Sequence, residues 1–181
     1  AGGRPGSFAG AVATAFAEPR VFADAIFEPV ERRAIEVAAE DLEMEAPAAT
    51  APLHRYVSLF GADQGATLFS DGLAEYEVDG EGGVLVTLLR AVGELSRADL
   101  PERPGHAGWP EPVPEAQCHG AFGAEVALML HDARGARTID AIERAADDIL
   151  LPLAGATLRS ALRNPGAVQG IALEGEGLAF S

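Results

Sequence analysis

Lysine is missing from this sequence and cysteine nearly so. The single thiol, Cys118, cannot close an internal disulfide, so packing rather than crosslinks must hold the fold. A reducing, cytoplasmic setting fits that composition. All 13 basic residues are arginine, against 28 acidic residues, for a formal charge of −15. The all-arginine usage reads as coding bias rather than chemistry. Such a field repels phosphate backbones and anionic lipid, which argues against nucleic acid and membrane surfaces as partners. No run approaches the roughly 20 apolar residues that cross a bilayer, and the opening AGGRPGSF lacks the pattern of a secretory signal. Aromatic residues make up 6%, with one tryptophan, Trp109, and no internal repeat stands out.

What is present is an apolar share of 48% over 181 residues, enough for one packed domain and incompatible with disorder or fibre. Glycine (21) and proline (12) punctuate the whole chain, the habit of many short strands joined by turns. The predicted class is all-β, a two-layer antiparallel sandwich of about ten strands in a single domain over residues 1–181. Ser7 to Phe16, Val21 to Phe27 and Arg33 to Val37 are apolar-rich pieces parted by Pro19 and Pro29, which argue against one long helix. From Leu53 to Phe60 both alternating faces are partly apolar, as in a strand packed on two sides. Asp71-Gly72 and Asp79 to Gly83 read as turns, and Val84 to Val92 as a central strand. In Phe122 to His131, the parity Phe122, Ala124, Val126, Leu128 and Leu130 predicts the buried face. Thr138 to Leu151 alone has a helical period, with Thr138 as cap, an Asp140–Arg144 pair and Pro152 as stop. Val168 to Leu173 and Leu178 to Ser181 read as closing strands, the last cut short.

Residues 101–116, PERPGHAGWPEPVPEA, follow neither period and form a long proline-stiffened loop, of the kind that commonly carries function. On it, Trp109 with Arg103 and His106 can offer an apolar face and donors to a sugar ring; equally, Trp109 can fold back to plug the end of the sandwich. Other constellations are weaker. His106, Cys118, His119 and His131 lack the short ligand spacing of a zinc site, and Cys118 reads as a buried structural thiol. Among 28 acids, pairs such as those drawn from Asp71, Glu75, Glu77, Glu102, Asp147 and Asp148 arise by chance.

Several segments, taken in order, resemble the C-terminal region of bacterial glycoside hydrolase family 38 α-mannosidases. They are SDGLAEYEV (Ser70 to Val78), VTLLRAVGELSRADLPERPGHAG (Val86 to Gly108), PEAQCHG (Pro114 to Gly120) and FGAEVALMLH (Phe122 to His131). EMEAPAATAPLHRYVSLF (Glu43 to Phe60) and FADAIFEPVERR (Phe22 to Arg33) are similar to the strands that precede them. Glu94, His119 and the stop at Ser181 depart from the family pattern.

The resemblance implies a galactose mutarotase-like supersandwich standing behind an N-terminal catalytic domain of the same polypeptide. That domain would bind zinc and supply the Asp nucleophile of a retaining α-mannosidase, leaving no catalytic or metal-binding residue in this chain. The sandwich would line one side of a cleft for a terminal α-mannoside. The matched, substrate-proximal candidates are Asp71, Gly72, Arg103, Gly105, His106 and Gln117, joined by Trp109 from the loop argument. The rival expectation is a stand-alone carbohydrate-binding or structural sandwich, and the short last strand leaves an open edge for a homo-oligomer.

Overall fold

Short β-favouring runs cut by glycine and proline can satisfy their backbone only by pairing with one another. In the computed structural model the described residues do so as eleven strands. It describes residues 6–12 (as backbone), 16, 18–36, 38, 45–79, 81–100, 103–105, 107–153 and 174–175. In chain order the strands are β1 (Gly6–Val12), β2 (Arg20–Ala23), β3 (Val30–Arg32), β4 (Thr50–Pro52), β5 (Tyr56–Phe60), β6 (Gln64–Ser70), β7 (Glu75–Val78), β8 (Val84–Ala91), β9 (Asp99–Leu100), β10 (Arg103–Pro104) and β11 (Val126–Asp132), followed by helix α1 (Ala136–Leu150). One sheet runs β1-β8-β7-β4 and the other β11-β6-β5-β2-β3, with β9 and β10 as a separate hairpin. Every pairing is antiparallel. The all-β sandwich expected from the sequence is therefore the fold.

The core lies between the sheets. Val21, Val57, Leu59 and Leu68 of one layer pack with Tyr76, Val78, Val84 and Val86 of the other. Each such side chain contributes about 1.5–3 kcal/mol relative to its exposed state. A second apolar layer forms outside the five-stranded sheet, where Phe22, Tyr56, Phe60 and Phe69 receive Ile142 and Ala146 of α1. Two edge-to-face pairs, Phe22–Phe60 at 5.7 Å and Tyr56–Phe69 at 5.8 Å, fill it. β5 is thus buried on both faces, as its double alternation predicts. β8 is central, between β1 and β7.

Four local expectations are corrected. The parity expected to be buried in β11 is the exposed one: Val126 is 55%, Leu128 59% and Leu130 75% exposed. Leu128 pairs with Leu68 and so lies on the sandwich side of the sheet, but β11 is the edge strand of the larger sheet, and this side of it stays exposed. Only its other face, Ala127 and Met129, is sheltered by α1. The helix begins at Ala136, with Gly135 at its N-cap, and the Thr138 hydroxyl donates to the Ala133 carbonyl at 2.8 Å instead of capping. The third strand is Val30–Arg32, not 33–37, because it pairs with β2 immediately across the Asp24 to Pro29 turn. Cys118 is exposed, not buried, at the end of a 3-10 turn over Pro114–Gln117. The Asp140–Arg144 pair forms at 2.9 Å. The closing strands expected at 168–173 and 178–181 lie outside the described residues.

Candidate functional site

Strand register gathers the candidate segments at one end of the sandwich. β6 ends at Ser70, opposite the first residue of β11, and residues 71–74 cross directly to β7 in the other sheet. β7 starts at Glu75, opposite Pro52, and β8 ends at Ala91, opposite Gly6. β2 ends at Ala23, opposite Val57 near the start of β5. Hence residues 24–29, 53–55, 71–74 and the 92–125 excursion all emerge on the same side. Asp71 is exposed there, and Gly72 takes φ +86°, a left-handed conformation that side chains with a Cβ rarely adopt. The neighbouring segment is pinned alongside: Leu53 N–H donates to Ala74 O at 2.9 Å and Ser70 N–H to Arg55 O at 3.1 Å.

The 92–125 excursion is held by its own bonds. Leu95 N–H reaches Glu111 O at 2.8 Å, Val113 N–H reaches Gly93 O at 3.0 Å, and Val92 N–H reaches Ala116 O at 3.0 Å. Gln117 donates through Nε2 to Val92 O at 2.8 Å, which commits its amide to closing the base of the loop. At the tip, Gly105 N–H donates to Ala98 O at 2.9 Å. Arg103 lies 3.8 Å from Glu45, and its buried Nε lacks a hydrogen-bond partner. Trp109 is 79% exposed, so the plug reading fails and its indole face is open to solvent. Ile26 and Phe27 are exposed at the same end. His106 lies outside the described residues. Asp71, Arg103, Trp109 and Gln117 thus share one end without a direct bond joining them among the described residues.

Beside the Asp71-Gly72 turn stands a charged cluster that sequence reasoning missed. Arg55 donates to Asp24 through Nε (2.8 Å) and Nη2 (3.1 Å), to Glu143 through Nη2 (2.6 Å) and to Asp147 through Nη1 (3.4 Å). The Tyr56 hydroxyl donates to the second oxygen of Glu143. His54 sets Nδ1 2.8 Å from the same Asp24 oxygen that Arg55 holds, while most of its ring is exposed. Burial alone would push the Asp24 carboxyl up, but the hydrogen bonds and charge of Arg55, with His54, hold it below its ordinary value. Asp24 in turn raises the Arg55 guanidinium, and burial followed by Glu143 raises the Tyr56 phenol. Asp24 is therefore held as an ionised acceptor, unsuited to handing over a proton. The cluster ties β2, β5 and α1 together and fixes an imidazole edge toward solvent.

The remaining candidates do not converge. Glu75 accepts from Thr87 at 2.8 Å and lies 3.1 Å from Arg90. His131 is at the far end of β11, one ring nitrogen on Thr67 at 2.9 Å and the other on Asp132 O at 2.8 Å. Among the described residues no three His, Cys, Asp or Glu side chains come together to hold a metal ion, so these side chains do not fit a zinc site. What this end offers is recognition chemistry: an open indole face, an imidazole, guanidinium donors and backbone turns.

No family model matches the chain. It is 37% identical over 110 residues to a putative mannosylglycerate hydrolase of Halalkalibacterium halodurans, a match that covers 61% of this chain and 11% of that protein. In structure it is similar to an α-mannosidase from Enterococcus faecalis V583, with a TM-score of 0.54 and 30% identity over 74% of this chain and 13% of that one. It is also similar to an Enterococcus faecalis protein in glycosyl hydrolase family 38, with a TM-score of 0.58 and 28% identity over 82% and 15%. The chain spans between 11% and 15% of the length of these relatives. The expected resemblance to family 38 α-mannosidases is borne out. No helix among the described residues is long and apolar enough to cross a membrane.

Proposed function

We propose that this homologue of family 38 α-mannosidases is a non-catalytic, C-terminal sandwich domain of a longer cytoplasmic glycoside hydrolase, and that its loop end forms part of the wall of a cleft for terminal α-mannosides. The observation that carries this reading is the lopsided coverage: 74–82% of this chain superposes on proteins of which it fills only 13–15%. The zinc ion and Asp nucleophile implied by the resemblance then belong to the N-terminal catalytic domain, the partner of this one within the same polypeptide. The part left to this chain is positional. Trp109 presents an apolar face to the C–H side of a sugar, and Arg103 and His54 supply donors to its hydroxyls. A preorganised wall of this kind raises turnover by holding the glycoside in reacting geometry.

The 181-residue chain alone should not hydrolyse 4-nitrophenyl α-mannoside; turnover abolished by chelation would overturn the assignment. In the longer enzyme, Trp109→Ala and Arg103→Ala should each lower kcat/KM by about tenfold, the loss of one good contact. Wild-type kinetics in both would remove the loop end from the cleft.

A further inference from the structure

The charged cluster beside the Asp71-Gly72 turn holds one residue that its structural role does not require. Arg55 by itself ties β2 to α1, gripping Asp24 on one side and Glu143 and Asp147 on the other. The His54 side chain is 66% exposed, and among the described residues its ring makes one hydrogen bond, from Nδ1 to Asp24 Oδ2 at 2.8 Å. Backbone bonds from Leu53 to Ala74 and from Ser70 to Arg55 set residue 54 beside residues 71–74, at the loop end. An exposed imidazole backed by a carboxylate only 2% exposed is an arrangement that orients a ring for work at its free nitrogen.

The proton on that ring is assigned by its neighbour. Burial pushes the Asp24 carboxyl up, but the hydrogen bonds and charge of Arg55 more than offset it, so the group is an anion that only accepts. Nδ1 of His54 is therefore the donor. The opposite nitrogen, Nε2, is left with a lone pair in the neutral ring and a second N–H in the protonated one. Arg55 also fixes the carboxylate itself, with Nε 2.8 Å from Oδ2 and Nη2 3.1 Å from Oδ1, a two-point grip that stops it rotating. Tautomer and ring direction are thus both set from a buried position.

We propose that Asp24 is a positioning residue of the loop end: through Nδ1 of His54 it presents Nε2 to one hydroxyl of the bound glycoside. Nε2 accepts from that hydroxyl when the ring is neutral and donates to it when the ring is protonated. The inference rests on the cleft reading and adds to it a residue that meets no substrate and acts through another.

Two measurements test it. Nitrogen NMR of the 181-residue chain, with the His54 signals identified by their loss in His54→Ala, should show the neutral ring keeping its proton on Nδ1; a proton on Nε2 instead overturns the proposal. In the longer enzyme, His54→Ala should lower kcat/KM by about tenfold, the value of one hydrogen bond. It removes an exposed ring, so the melting temperature should stay close to that of wild type. With 4-nitrophenyl α-mannosides that each lack one sugar hydroxyl, the defect should vanish for the one missing the hydroxyl that Nε2 meets. Asp24→Asn should lose activity with the same pattern and add nothing to His54→Ala in the double variant. Wild-type kinetics in His54→Ala, or an equal defect on every deoxy-mannoside, overturns the proposal. If Trp109→Ala and Arg103→Ala are impaired while His54→Ala is not, this inference falls and the cleft reading stands; if all three match wild type, both fall.

Discussion

Asp24 has 2% of its side chain exposed and two cationic or potentially cationic neighbours, and its behaviour with pH follows from that pairing. Its folded pKa lies below the ordinary 3.8, so the carboxylate stabilises the fold at all pH above that value. The contribution fades only as pH falls through the lower, folded value. In Arg55→Ala burial, the largest influence on Asp24, is opposed only by His54 and the backbone N–H of residue 55, and the shift should reverse. We expect that variant to lose about 3 kcal/mol at pH 7, the cost of orphaning a buried charge. The gap to wild type should narrow by pH 4.5 as protonation relieves the orphan; urea unfolding at both pH values measures it, and a constant gap would contradict the pairing. Gly65 makes a second single-residue case. A Cβ there would lie 2.3 Å from His131 Cε1 and 2.6 Å from the Leu59 carbonyl oxygen, and the latter cannot swing away. Gly65→Ala should therefore destabilise by about 1–3 kcal/mol, read as a lowered melting temperature. Neither feature was legible beforehand. Asp24 and Arg55 are 31 positions apart, and nothing local in FAD or LHRY marks one as the other's partner.

The strands were legible wherever both their period and their punctuation were sharp. β5 declared two buried faces by placing Val57 and Leu59 on one parity and Tyr56 and Phe60 on the other, and Asp79 to Gly83 declared a turn that Asp79 closes with its own carboxylate at 2.7 Å to Gly83 N–H. β11 defeated the same logic, because alternation reports that two faces differ and says nothing of which one a neighbouring layer reaches. Truncations should rank accordingly. Leu68→Ala, in the interior, should cost about 2–5 kcal/mol and Ile142→Ala, under the helix, a similar amount. Leu130→Ala, though directly along the same sheet, should change stability by less than about 0.5 kcal/mol. Chemical denaturation of the three variants gives the comparison, and a large loss in Leu130→Ala would mean that its face is covered in solution.

Over the whole molecule, the all-β class and the common origin of the loops could be anticipated. The assignment of strands to sheets could not. The Asp71-Gly72 turn carries a strong turn signal, but it joins different sheets, and the consequence is that β6, β7 and the long excursion share one end. Of the candidates anticipated there, Asp71, Gly72, Arg103, Gly105, Trp109 and Gln117 are on that end, with Gln117 turned to loop closure. The charged cluster beside them was invisible because α1 contributes two of its carboxylates from a distant stretch of chain. Trp109→Ala should leave the melting temperature within about a degree of wild type, a check that any kinetic defect in the longer enzyme is local.

The bare flank of β11 has a practical corollary. Its net charge keeps copies of the chain apart in dilute buffer, and added salt screens that repulsion while strengthening the attraction of apolar surfaces. Light scattering from concentrated samples should therefore climb with ionic strength, and replacing Leu128 and Leu130 by threonine should flatten the curve.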